Sequence, residues 1–391
     1  MRIQTLLSMT LLAVAIPSIH AQEKRVALHA TSGPELSWFA VDVAGARLQR
    51  QGSVTLPENV QEAWPHPSRQ FLYVAWSNNA RGTAGRHGMT AFRVDAKTGA
   101  LSAHGDPVKL AARSVFLTVD GAGQFAVVAY NDPSSATVHR IASDGKLADA
   151  VTQPAGLDFG VYAHQVRVDA SGRMVVVVTR GNGPEGAKKE DPGALKVFAF
   201  AGGLLRNKAS IAPGGGHEYQ PRHLDFHPAL PLAYVTLERQ NKLQVYRVTD
   251  GPSLSAEPLF TKDTLLNPAH WARQATSAIH VHPNGRFVYL GNRATAAGAE
   301  NSIAVYAIDN KTGEPSRIQN ADTHGAHPRT FALDPTGRLL VVANMQHTAT
   351  QAASLAVFRI GSDGRLSFAR QYDQDTGQRR NLFWTGMMEL P

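Results

Sequence analysis

The chain has 391 residues, 43% hydrophobic and 18% charged, with no cysteine and a formal net charge of +8. The absence of cysteine excludes disulfides and thiol chemistry, so the fold must rest on its own core. No Lys/Arg block interleaved with aromatic residues occurs, which argues against nucleic acid as a partner despite the basic balance.

Residues 1–21 carry one basic residue, Arg2, an apolar run from Leu6 to Ile16 and a small-residue ending at Ala21. This pattern predicts a signal peptide cleaved near Ala21, because the run is well short of the roughly 20 residues a spanning helix needs. The expectation is an exported protein, periplasmic or secreted, free of the membrane after cleavage. Residues 22–391 are expected to form one domain.

The mature chain opens with two apolar stretches of strand character, Arg25 to Ala30 and Leu36 to Val41. A longer block then recurs six times: Trp64 to Val74, Leu117 to Val128, Val166 to Val177, Leu224 to Val235, Ile279 to Leu290 and Phe331 to Val342. Each reads as an alternating strand, a tight turn and an apolar strand. With Gly285 as a marker in the turn, the counterparts are Arg69, Gly123, Gly172, Leu230 and Gly337, at intervals of 54, 49, 58, 55 and 52 residues. A third strand follows each block, as in Leu243 to Val248, Ile303 to Ile308 and Leu355 to Ile360, and a weaker fourth comes after it. Four antiparallel strands in about 50 residues make one propeller blade. The stretch from Asn381 to Leu390 is a strand left over, and the N-terminal piece lacks an opening strand. Joined, they make a seventh blade and close an all-β, seven-bladed β-propeller without a long free edge.

The repeat also serves as a ruler, because positions equally far before and after the turn lie at the same end of a blade. Eight residues before the marker stand Gln61, Val115, His164, Arg222, Ser277 and Arg329; eight after it stand Ser77, Asn131, Arg180, Glu238, Arg293 and Met345. At roughly 3.3 Å per residue, both columns are expected at or just past the far strand ends, ringing one mouth of the central channel. Four arginines, a glutamate and a histidine there form a convergent polar cluster suited to a small ligand. Long connections at 79–88, 181–193, 294–302 and 346–354 are expected to overhang this mouth.

Other signals have structural readings. His280-x-His282 resembles a metal pair, but His282 shares its column with His66, His227, Asp120, Asp169 and Asp334, which predicts a turn role. Gly214-Gly-Gly216 lacks the Lys-Ser/Thr of a phosphate-cradling loop. No cofactor and no metal are called for.

The segments Pro221 to Pro228, Tyr234 to Glu238, Ser277 to Arg293 and Pro328 to Arg338 resemble the seven-bladed propeller lactonase family, which includes bacterial 6-phosphogluconolactonases and muconate lactonising enzymes. The resemblance implies hydrolysis of a small, anionic sugar-type lactone, with His164, Arg222, Glu238 and Arg293 as catalytic residues. Arg180, Arg329, Asn292 and Asn344 are the accompanying candidates for substrate binding. Arg222 and Arg293 are assigned to the anionic group or the developing oxyanion, and His164 or Glu238 to the proton from water. The chain departs from the family at Thr179-Arg180-Gly181 and in its opening strand. Two alternatives stand beside hydrolysis: lactonisation of a muconate-type acid, and a non-catalytic binding propeller, to which Tyr234-Val-Thr236 gives some footing. The expected partner is a small-molecule lactone bound by a monomer.

Overall fold

The computed structural model describes residues 25–80, 83–267, 269, 274–294, 296, 298–346, 352–376 and 381–391. The expected leader lies outside these residues, as do parts of three of the four long connections.

Seven antiparallel sheets surround a central channel. Six run outward in chain order, beginning at Asn59–Pro65, Ser114–Val119, Ala163–Val168, Pro221–Phe226, Ala275–Val281 and Ala326–Leu333. In the seventh, the innermost strand is the C-terminal Leu382–Glu389, followed outward by Val26–Ser32, Glu35–Asp42 and Arg47–Thr55. Ring closure thus joins the two chain ends, with Val26 opposite Glu389 and Ala30 opposite Thr385. In two blades the fourth strand is split into short pieces, Leu101–Ala103 with Val108–Lys109 and Ser253–Leu254 with Phe260–Asp263.

The second strands are buried on both faces, so their residues alternate between two blade interfaces. Tyr73 and Ala75 pack toward the following blade, while Leu72, Val74 and Trp76 pack toward the seventh. Seven apolar clusters result, one between each pair of neighbouring blades. Tyrosines on these strands also tie blades together: the hydroxyls of Tyr73, Tyr234 and Tyr289 donate to the carbonyls of Gly145, Gly313 and Gly364 at 3.0, 2.7 and 2.9 Å.

The turn column has the predicted role. His66, His227 and His282 each accept a backbone N–H of their own turn at Nδ1, from Ser68, Ala229 and Asn284 at 3.0, 3.0 and 3.1 Å. Their Nε2–H groups donate to the carbonyls of Gly123, Gly285 and Gly337 in the next blade, at 3.1, 2.8 and 2.8 Å. Those glycines have φ of 70°, 71° and 72°, and a Cβ on Gly337 would come within 2.3 Å of the His282 ring. Where the column holds aspartate, the side chain caps its own turn alone, as Asp120 does for Gln124 and Phe125, both at 2.7 Å.

Candidate active site

The column eight residues before the marker lies inside the innermost strands rather than beyond their ends. In all six chain-order blades the pairing of the first two strands slips at this position: Gln61, Val115, His164, Arg222, Ser277 and Arg329 have no partner across the ladder. The closing blade slips likewise between Leu382 and Thr385. The difference from the ruler has two causes. The turn lies mostly before the marker, and the bulge takes up a residue, so Pro221 pairs with Leu237 rather than with a residue further out. A bulge bends the strand and re-aims its extra side chain. Around the ring, four of these residues, Gln61, Val115, His164 and Arg329, border one cavity.

A cavity of about 160 Å³ opens there. From the two columns it is lined by Gln61, Val115, His164 and Arg329, and by Asn131, Arg180, Glu238 and Arg293. Arg222 lies behind this wall, 1% exposed, with Nε 3.3 Å from Glu238. Asn292 and Asn344 are placed away from the cavity. Their amide N–H groups donate to the carbonyls of Thr264 and Thr323 at 2.9 and 2.8 Å and to the hydroxyls of Ser302 and Ser354 at 3.1 and 3.2 Å, which fixes the second and third strands of their blades. Their side chains follow the strand's alternation away from the channel. Ser277 is likewise engaged, donating to the Pro328 carbonyl at 2.8 Å.

Three further lining groups, Arg113, Tyr162 and Phe383, were not singled out from the sequence, and neither was His327, which adjoins Arg293. Arg113, Tyr162 and His327 share one signal, standing ten residues before their markers, so the same ruler moved two residues outward finds them. Tyr162 and His327 have φ of 60° and 58°, an uncommon conformation for bulky residues and one that concentrates at functional sites.

Glu238 is the hub. It accepts from Arg180 at 3.0 Å and from Arg293, and lies against Arg222. Burial alone would raise its pKa, but the charges of Arg222, Arg293 and Arg180 outweigh it and hold the carboxyl at about 2. Arg293 also contacts His327 at 2.7 Å. The Arg180 guanidinium sits 4.0 Å from the Tyr162 ring centroid, and that of Arg329 4.0 Å from Phe383. Among the described residues Arg329 has no ion pair, and its buried Nε has no hydrogen-bond partner. Burial, followed by the charge of Arg293, presses it down to about 10; a guanidinium stays protonated in a protein, so this pressure reads as unneutralised positive charge.

Neighbouring groups do not cancel that charge. Burial and then Arg222, Arg329, Arg180 and Arg293 hold His164 well below the usual histidine range. Burial and Arg222 do the same to His223, whose ring centroid is 5.1 Å from that of His164. Burial, Arg293 and Arg329 take His327 to about 3, while burial raises Glu62 to about 8, leaving it uncharged at neutral pH. Among the described residues, five guanidinium groups, counting Arg113 and Arg222, therefore surround a single ionised carboxylate.

Among the described residues no group of three or more His, Asp or Glu side chains is arranged to hold a metal ion, and no helix is long and apolar enough to cross a membrane.

The family described as lactonase, seven-bladed β-propeller, matches residues 26–378. The chain belongs to that family. It is 28% identical over 295 residues to a 6-phosphogluconolactonase of Bacillus subtilis, covering 72% of this chain and 76% of that one. A 6-phosphogluconolactonase of Cronobacter sakazakii is 27% identical over 83% of this chain and 90% of its own length. Among solved structures, a periplasmic gluconolactonase of Pseudomonas aeruginosa superposes with a TM-score of 0.68 at 20% identity, covering 94% of this chain and all of that one; at this identity the likeness concerns the fold.

Proposed function

We propose that the protein is an exported lactonase that opens the ring of a small sugar-type lactone in the cationic well, with negative charge on the substrate held by the arginines. The supporting observation is the imbalance itself: five guanidinium groups against one carboxylate around a 160 Å³ cavity is a costly arrangement that an anionic group or a developing oxyanion relieves. Export rests on the leader-like N-terminus.

In this reading the carbonyl oxygen faces Arg329, whose N–H groups have no carboxylate partner among the described residues, with Arg293 beside it. Fixed charged donors in a water-poor site stabilise an oxyanion strongly. Water attacks the acyl carbon and gives its proton to His164. Collapse of the tetrahedral species breaks the ring C–O bond, and the histidine returns the proton to the departing oxygen, leaving a hydroxy acid that ionises by releasing its carboxyl proton to water. Glu238 is poorly suited as the base, because both of its oxygens are taken by arginines. It acts instead as the anion that positions Arg180, Arg222 and Arg293. Arg222 works through Glu238 rather than by touching substrate.

A panel of sugar-derived and muconate-derived lactones, assayed for ring opening by the mature protein, tests the reading. Hydrolysis of a sugar lactone above its spontaneous rate supports it; lactonisation alone, or no turnover of any lactone, overturns it. The pH profile tests the base. His164 must be neutral to accept a proton, so kcat/KM should fall only as pH drops through its lowered pKa, well on the acid side of 6.5. A lactone bearing a carboxylate offsets the arginine charges and moves the corresponding limb in kcat to higher pH, whereas a neutral lactone leaves it in place. His164→Ala should abolish both limbs.

A further inference from the structure

Beyond the well lies a second chamber of about 650 Å³, several times the size of the first at 160 Å³. The two share Arg113, Asn131 and Tyr162, which form a neck between them. Their chemistry is opposite. The outer chamber is lined by the acids Asp132 and Glu185, by Asn182, whose Nδ2 donates to Asp191 at 2.9 Å, and by Ser134, whose hydroxyl donates to the Phe159 carbonyl at 3.2 Å; among the described residues Arg113 is its one cation. Arg113 is held from the inner side, its Nε–H donating to Gln61 at 3.0 Å.

We infer that the outer chamber is a subsite for an uncharged, hydroxyl-rich extension of the substrate, a glycosyl unit carried on the lactone ring, and that it disfavours a phosphate at that end. This rests on the lactonase reading above and deepens it. With the lactone carbonyl among the arginines, the substituent farthest from it passes the neck at Tyr162 and meets acceptors and amides. Carboxylates and amides of this kind pair with vicinal hydroxyls, and the Tyr162 ring, with one face taken by the Arg180 guanidinium, borders the path between the chambers. A phosphomonoester carries close to two negative charges at pH 7 and would be set against Asp132 and Glu185. The volume exceeds what the tail of one monosaccharide needs, which is why the extension is assigned as a whole sugar unit.

The experiment compares kcat/KM for gluconolactone, its terminal phosphate ester and the lactone of a disaccharide aldonic acid, with calorimetric binding of the corresponding aldonates as a readout that does not need turnover. The disaccharide lactone is expected to react at least as well as gluconolactone, the phosphate ester at least 10-fold worse, and the disaccharide aldonate to bind more tightly than gluconate. Charge reversal by Asp132→Lys with Glu185→Lys should shift the phosphate-to-gluconolactone ratio toward phosphate by at least 10-fold. If gluconolactone is hydrolysed but the phosphate ester is preferred, or the disaccharide compounds react and bind more than 10-fold worse, the subsite is overturned while the lactonase reading stands. If no lactone is hydrolysed and no aldonate binds, both fall together.

Discussion

The two ends of the innermost strands are built from the same repeat and do opposite work. At the turn end, histidine or aspartate closes each hairpin, and every ring nitrogen of His66, His227 and His282 has a backbone partner. At the bulged end the ladder is broken in every blade, the extra side chains differ from blade to blade, and polar atoms such as His164 Nδ1 and Arg329 Nε are buried without partners. Satisfied groups stabilise a ring of blades; unsatisfied, like-charged groups are tolerated where a ligand completes them. The channel interior follows the same division. Toward the turns it holds a 350 Å³ cavity with apolar walls including Trp64, Phe116 and Phe331, whereas the bulged end holds the arginines.

This contrast can be broken most sharply at Glu238. Among the described residues Glu238 is the one ionised carboxylate lining the well, so Glu238→Gln breaks a buried pair at a cost of about 3–5 kcal/mol; chemical denaturation should register a loss of that size. A change below about 1 kcal/mol would mean that the arginines are solvated rather than held.

Glu62 offers a test with a pH sign. Its folded pKa of about 8 lies above the unfolded value of 4.5, so its contribution is intact below pH 4.5 and is lost as pH rises toward 8. Glu62→Gln should therefore stabilise the protein by roughly 3 kcal/mol near pH 7 and by little near pH 4. Equal effects at both pH values would contradict a buried, neutral acid.

The smallest effect belongs to the turn end. His282→Ala leaves the Gly337 carbonyl without its partner and should cost about 1–3 kcal/mol, read as a lower melting temperature, with lactone turnover by the folded fraction unchanged. Loss of turnover in folded protein would break the division of labour between the ends.

Much of this was legible in the sequence because blades repeat. Period-2 alternation and the turn marker give strand order, the shared seventh blade and the turn role of His282. Columns counted from the marker bring His164, Arg180, Glu238, Arg293 and Arg329 to one mouth, since equal counts reach equal heights. The bulge was not legible, because it comes from a slip between two strands rather than from a residue type. Nor does equal height along the blades reveal that Arg222 lies behind Glu238 instead of on the cavity wall. Asn292 and Asn344 stand near the right height but on the wrong side of the strand, which spacing from a turn does not report. Arg113, Tyr162 and His327 needed only a longer ruler.

Whether the arginine-lined well at the bulged end carries the chemistry is decided at Arg329, because no carboxylate among the described residues depends on it for an ion pair. Arg329→Met keeps much of the side chain's apolar bulk against Phe383 while removing one positive charge from a crowded set. With a lactone that the wild-type protein hydrolyses, this variant should lose about 100- to 1000-fold in kcat, as expected for loss of one oxyanion donor, and melt no lower than wild type. Wild-type turnover by folded Arg329→Met protein would place the active site elsewhere.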